Sequence, residues 1–599
     1  MSTDISTGEY GPWTPGIVSQ LPRAYLPLST MFREENVSTS LAEAQELSDF
    51  CGLAPHELVA FRPERLAVHE LLIHVTADLT VPDGPNYEDL GISFREIAGT
   101  ILSKYIAPHM AEIERHHADL ERDAGAWIER ELSDRLGSGP RPDNPKPGRK
   151  GLSRLFGFGE HRSAPATREQ DPEAHLNNVL ETWLQASKDT GSPFEKACLE
   201  ALATIVAAIA RKRGRLVGDT SLVIRLATTL VCNGYGSEII GNAMDPYFRD
   251  VVAREGYRML PRQDKPVVMN VKGASASGKS TMRPLQRTLA DRLAVPWHDF
   301  ALISPDIWRK FLLDYDTLGD AYKYAGTMTG HELELIDKKL DRYMANKAAA
   351  GAMSHLLIDR FRFDSFVPES DGDEASKLLT RFGDLVFMFF MITPPEATVE
   401  RAWKRGLQFG RYKAVDDLLD HNVEAYTGMP QLFFTWALRT KKRVHYEFLD
   451  NNVPEGSRPR TVAFGWNRHM NILDLKSMLD IDRFRKINID ATRPEDLYGD
   501  ETVAPENNVA FLKECARLIP EISFIDRQTG TVFARLKDGK WIWRDEAYLG
   551  RVLTDPDTRA GFEAIGSNDD EIVAAVTTDA PRLDPNEAFT LGDWGTAAE

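Results

Sequence analysis

Hydrophobic positions along this chain follow one spacing in its first part and another in its middle. From Ser40 to about Leu136 they recur three and four residues apart, which places them on one face of a 3.6-residue turn and predicts amphipathic helices. Leu41, Ala44 and Leu47 follow Ser40, and Glu43 stands where a capping box needs it. Phe94 to Ile106 continues the helical spacing, and Ile113, Leu120, Trp127, Ile128 and Leu132 form the apolar side of a charged stretch from Ala111 to Leu136. A second helical block runs from Asp171 to about Leu260. Leu176, Val179, Leu180, Trp183 and Leu184 line one helix there, and Ala197 to Ile209 is apolar nearly all round, hence expected at the centre. From Lys265 to about Asp450 short apolar runs alternate with helical ones, the pattern of parallel β-α units. The predicted strands are Val267–Val271, Ala301–Ile303, His355–Ile358, Leu385–Met391 and Val444–Phe448. Beyond Asp450 the chain reads as irregular, with a helix near Val509–Leu518 and a hairpin from Phe524 through a Gln528–Thr531 turn to Val532 and on to Trp541.

Composition sets the boundaries. Residues 137–170 turn abruptly to Gly, Pro, Arg and Lys, a linker composition. The expected layout is a flexible arm (1–38), a helical domain (39–138), a Pro/Gly/basic linker (139–170), a second helical domain (171–260), an α/β domain (261–470), a small α+β region (471–560) and an acidic, disordered tail (561–599). A net charge of −18 argues against nucleic acid as the main partner. The four cysteines have no metal or redox spacing and read as reduced thiols. Met1 to Tyr10 is polar and acidic, unlike a signal peptide, and no apolar run approaches the ~18 residues of a membrane span. A cytoplasmic protein is expected. His116 and His117 are adjacent, so on a helix they point about 100° apart, which disfavours a shared metal.

The chemistry gathers in the α/β domain. Gly273-Ala274-Ser275-Ala276-Ser277-Gly278-Lys279-Ser280-Thr281 fits G-x-x-x-x-G-K-[ST], follows a predicted strand and opens a helix with Leu285, Leu289 and Leu293 on one face. Glycines at both ends let the backbone curl its N–H groups toward a phosphate. Lys279 is expected to reach the β- and γ-phosphates of ATP, and Ser280 to offer its hydroxyl to Mg²⁺. Three later features point to phosphoryl transfer onto a small molecule. Asp306, just past the second strand, stands where a carboxylate can take the proton of an attacking hydroxyl, with Arg309 three residues on to orient it or hold substrate. Asp359 ends the apolar run His355–Ile358, as expected of a second Mg²⁺-side ligand, and Arg360 follows it where ATP-driven motors carry a second acid. Arg401, Lys404 and Arg405, with Arg411 and Lys413 in a Gly-flanked segment, could close over the phosphates.

In this order the elements resemble the zeta toxin family of bacterial kinases, over roughly Lys265 to Asp450. The resemblance rests on the phosphate loop, on Asp306-Ile307-Trp308-Arg309 as an Asp-x-aromatic-Arg element, and on Arg401, Arg405 and Arg411. It implies an α/β P-loop kinase core, doubly wound on a mostly parallel sheet, with a large helical N-terminal extension and a small C-terminal α+β region. It also implies that Asp306 is the base acting on a hydroxyl of UDP-N-acetylglucosamine, and that Arg401 with Arg405 or Arg411 grips ATP. Asp359-Arg360-Phe361-Arg362-Phe363 departs from the family, which has an acidic residue followed by Gly-Thr and a basic residue. Two alternatives stay open, a polynucleotide 5′-kinase and a non-catalytic ATP-binding scaffold. The helical blocks ahead of the kinase read either as an inhibitor acting in cis or as a module that recognises a partner protein.

Overall fold

The computed structural model describes residues 10–136, 172–216, 219–360, 379–565, 583 and 588–594. They form two compact units, one of Met1–Thr30, Leu71–Leu102 and Arg249–Glu599, the other of Met31–Glu70 and Ser103–Phe248.

The larger unit is built on a ten-stranded sheet in the order β10-β9-β8-β7-β6-β5-β4-β1-β3-β2. Its first five strands in sequence are β1 (Val267–Lys272), β2 (Phe300–Ile303), β3 (His355–Ile358), β4 (Leu385–Ile392) and β5 (Arg443–Asp450). All five run parallel, with β1 between β3 and β4. These are the five strands expected from the apolar runs, a residue or two longer at half of their ends. Parallel strands read as unbroken apolar runs when both faces are covered. Strand β4 shows this: Val386, Met388 and Phe390 enter a core with Tyr426 and Phe433 of helix Val415–Ala437, while Phe387 and Phe389 lie against His445. The result is a mixed helix and sheet fold with a large, mostly parallel sheet, compatible with an α/β core.

Beyond β5 the same sheet continues through β6 (Arg460–Trp466), β7 (His469–Ile472), β8 (Glu521–Ile525), β9 (Val532–Lys537) and β10 (Lys540–Arg544). The expected boundary at 470 therefore falls inside β7. The hairpin β8–β9–β10 is where the pattern put it, but β6 and β7 lie in a stretch expected to be irregular. Their turn uses Asn467 at φ 43°, and a Cβ on Gly465 would meet the His469 carbonyl at 1.9 Å, so only glycine fits there.

Residues 71–102 are the larger departure. They belong with the sheet, not with the rest of the expected 39–138 helical domain. Asp78 accepts from Tyr343 Oη at 2.5 Å and Lys347 Nζ at 2.7 Å, Asp83 accepts from Arg287 at 2.5 Å, and Trp308 Nε1 donates to Thr76 Oγ1 at 3.2 Å. Helical periodicity shows that a segment has an apolar face, not which core receives it. The arm expected to be loose is partly packed: Leu21, Tyr25 and Leu28 join a cluster with Leu313, Leu318 and Met328. Within the expected tail, Leu591 and Gly592 donate backbone N–H groups to Glu447 at 2.6 and 3.1 Å.

In the second unit, Ser40 accepts from the Glu43 N–H, as its capping position predicts. Helix Pro193–Arg213 supplies much of that unit's core, with Leu202, Ile205, Val206 and Ile209 packed with Trp183. The expected linker, 139–170, lies outside the described residues.

Candidate functional site

The phosphate-loop sequence connects β1 to a short helical turn, Lys279–Met282, and then to helix Arg283–Arg292, whose second residue is Pro284. A missing N–H costs least in that first turn. The loop is tight and braced from behind. Gly278 has φ 97°, a Cβ there would meet Asn451 Nδ2 at 2.3 Å, and a Cβ on Gly273 would meet Met391 Cβ at 2.8 Å. Ala276 also lies at positive φ, 59°, a conformation that persists in a non-glycine residue only when its surroundings impose it. Those surroundings are visible: the Ser277 carbonyl accepts from Thr393 Oγ1 at 3.1 Å and Asn451 Nδ2 at 2.8 Å, residues that directly follow β4 and β5. Ala274 and Ser277 are buried, Ser275 is half-buried, and Thr281 Oγ1 donates to the Gly278 carbonyl at 2.7 Å.

Lys279 curls back over the loop, its Nζ donating to the carbonyls of Ala274 at 2.8 Å and Gly273 at 3.2 Å. Burial lowers its pKa, and the charges of Asp359 and Asp306 oppose that shift. Ser280 Oγ donates to Asp359 Oδ2 at 2.5 Å. This hydroxyl–carboxylate pair is the hard-oxygen set that Mg²⁺ prefers when a nucleotide completes its shell. Among the described residues no group of three or more His, Cys, Asp or Glu side chains is arranged around a metal, so an ion here would rely on these two residues and on phosphate oxygens. Arg360 turns away from the cleft into a buried ion pair with Asp337 and Asp341, each at 2.8 Å. Phe361, Arg362 and Phe363 lie outside the described residues.

Asp306 sits in the turn Pro305–Trp308 immediately beyond β2, held there by the fully buried Trp308. Its Oδ1 accepts from Arg309 Nε at 2.9 Å and its Oδ2 from Arg411 at 2.6 Å, yet its side chain is 51% exposed and so reachable. Desolvation pushes the carboxyl upward, but Arg411, Arg309 and Arg405 outweigh it and hold the pKa well below the carboxylate range. Arg309 also donates to the Gly326 carbonyl at 2.6 Å and Thr329 Oγ1 at 2.8 Å, which makes it an orienting residue.

The remaining arginines divide by role. Arg401, on helix Pro395–Phe409, donates to the carbonyls of Asn451 at 2.6 Å and Ser277 at 3.5 Å, and so braces the back of the loop. Arg405, one turn later, is different. Its Nε is buried with no hydrogen-bond partner among the described residues. Burial lowers its pKa, and the neighbouring cation Arg411 lowers it further. A guanidinium nitrogen buried without a hydrogen-bond partner beside other cations is costly until an anion arrives, although Tyr87 and Asp306 oppose that effect here. Arg411, in the short connection to helix Val415–Ala437, also donates to Tyr87 Oη at 2.6 Å. Lys413 beside it is pulled down to about 8 by burial, against the opposing charge of Asp417. Thus Lys279, Asp306, Arg309, Arg405, Arg411 and the Ser280–Asp359 pair come together, while Arg401 stands behind the loop.

Sequence reasoning missed Thr393, Asn451 and Tyr87. A polar residue directly after an apolar strand was the available signal for the first two. Tyr87 lies too far along the chain from Arg411 to give any local signal. No family model, curated protein or solved structure matches this chain.

Proposed function

We propose that this protein is an ATP-dependent P-loop kinase that transfers the γ-phosphate to an alcohol group of a small molecule, with a UDP-sugar as the acceptor its zeta-like elements suggest. The observation that carries the reading is the convergence of Lys279, the Ser280–Asp359 pair and the clamped Asp306, beyond the ends of β1, β2 and β3, with Arg405 of helix Pro395–Phe409, whose Nε has no hydrogen-bond partner among the described residues. Four cations (Lys279, Arg309, Arg405 and Arg411) and two carboxylates share one electrostatic neighbourhood, a balance suited to a polyphosphate. Bound Mg²⁺ would neutralise phosphate charge, held through Ser280 and Asp359.

In this reading the acceptor hydroxyl gives its proton to Asp306 as its oxygen attacks the γ-phosphorus. The bond from that phosphorus to the β-phosphate oxygen breaks, and ADP leaves. Arg405 and Lys279 meet the charge on the transferring group. Arg411 has a second duty: with Arg309 it keeps Asp306 a poor base while no phosphate competes for it. Transfer of Arg411 to phosphate oxygens restores the basicity of Asp306 when the nucleotide is present. Lys279→Ala, which removes a charge rather than a core contact, should abolish phosphoryl transfer in a folded protein. Near-normal turnover by that variant would remove the basis of the reading.

A further inference from the structure

A cavity of about 580 Å³ adjoins this cluster, lined by Arg95, Lys310, Tyr315, Asp316, Tyr322 and Phe409 among others. Two of its walls run straight into the residues just described. Lys310 follows Arg309, and the lining residue Gly410 precedes Arg411. Tyr315 lies within the electrostatic reach of Arg309, Arg411 and Asp306. The volume suits a molecule of drug size or a little smaller, and the lining offers ring faces, carboxylate and phenol oxygens, and two cations.

One wall comes from outside the kinase core. Helix Asp89–Ile101 carries Arg95, and the residues before it tie that helix to the cluster. Glu88 pairs with Lys310 at 3.2 Å, Tyr87 accepts from Arg411, and the rings of Tyr87 and Phe409 lie 5.6 Å apart. Gly91 faces Ile307, the neighbour of Asp306: a Cβ there would lie 3.9 Å from Ile307 Cβ. Arg95 has no hydrogen bond or ion pair among the described residues, although carboxylates of the same unit are nearby in the lining. A half-buried guanidinium with no partner among the described residues, in a cavity beside a phosphoryl-transfer cluster, is placed for an anionic group on the molecule that enters.

We propose that helix Asp89–Ile101 is a wall of the acceptor site, and that Arg95 reads a phosphate group on the acceptor while the hydroxyl to be phosphorylated points at Asp306. The proposal rests on the kinase reading and deepens it. It assigns part of the N-terminal extension to substrate selection, and it restricts the acceptor to hydroxyl compounds that already carry phosphate.

The test uses the full chain with the nucleotide site filled by Mg²⁺ and the non-hydrolysable analogue AMP-PNP. Uridine diphosphate and inorganic pyrophosphate are titrated calorimetrically against the wild-type protein, Arg95→Ala and Arg95→Lys. The expected result is saturable binding of both probes to wild type, weakened about tenfold or more by Arg95→Ala and less by Arg95→Lys, the scale of a lost charge-assisted contact. Absence of probe binding to the AMP-PNP-loaded wild type, or equal probe affinity in wild type and both variants, would overturn the proposal. Failure of the underlying reading has a separate signature, since the wild-type protein would then not bind AMP-PNP in the preceding titration.

Discussion

Replacing Asp306 with asparagine removes one charge and keeps the shape of the side chain, so it separates the base role from a magnesium or structural role. In the folded protein two guanidinium groups lie 2.9 and 2.6 Å from this carboxylate. Because the carboxylate is half-exposed, water can serve those guanidiniums after the substitution, and folding stability should change by no more than about 1 kcal/mol. Binding should respond in the opposite sense to catalysis. Removal of a negative charge leaves Arg309, Arg405, Arg411 and Lys279 less compensated, and a polyphosphate then gains on the order of 1 kcal/mol, about fivefold in affinity. The chemical step should lose about 10²–10⁴-fold, the worth of a positioned general base. Calorimetry with AMP-PNP reads the first effect, and rapid-quench transfer from saturating ATP reads the second. Weaker nucleotide binding with unimpaired turnover of the bound complex would refute the argument and make Asp306 a ligand of the metal or a structural group.

Trp308, fully buried beneath Asp306, should cost about 3–5 kcal/mol when replaced by alanine, measured by urea denaturation; a loss below 1 kcal/mol would contradict its anchoring role. Burial pushes Asp78 upward, but its hydrogen bond with His74 and the charge of Lys347 win, taking it from 3.8 down to about 2. A depressed carboxyl stabilises the fold above its unfolded pKa and loses that contribution as pH falls through the folded value. Asp78→Asn should therefore cost about 2 kcal/mol at pH 7, and the gap to wild type should narrow between pH 4 and 2. A gap that stays constant over that interval would refute the assignment. A truncated chain beginning at Arg262 loses the partners of Trp308, Tyr343 and Arg287, and should be insoluble or unfold without cooperativity. A folded, nucleotide-binding protein from that truncation would show that residues 71–102 are dispensable.

The parallel strands were legible because burial on both faces leaves an unbroken apolar run, as in β4. The tight turn after β1 was legible because its backbone, at φ 97° in Gly278, demands glycine there. The β6–β7 hairpin was not. Strands β6 and β7 are short, and Gly465 and Asn467 resemble loop residues, although here a close carbonyl and a left-handed turn require them. The destination of helix Asp89–Ile101 was equally hidden. Its apolar face, with Phe94 and Ile97, announces a helix, but the partners of Tyr87, Glu88 and Gly91 lie more than 200 residues away in the chain. The divergent roles of Arg401 and Arg405 could not be read from their four-residue spacing either, because one meets backbone carbonyls and the other lies among Arg411, Arg309, Tyr87 and Asp306.

The reaction proposed here is phosphoryl transfer to a small hydroxyl compound with Asp306 as base. The most direct measurement incubates the full chain with γ-labelled ATP and Mg²⁺ in a dialysed, then metabolite-replenished cell extract, and separates labelled small molecules by chromatography. A new labelled phosphomonoester is expected with wild-type protein, lost with Lys279→Ala and reduced at least about a hundredfold with Asp306→Asn. Release of labelled inorganic phosphate alone, at equal rates in wild type and Asp306→Asn, would contradict it.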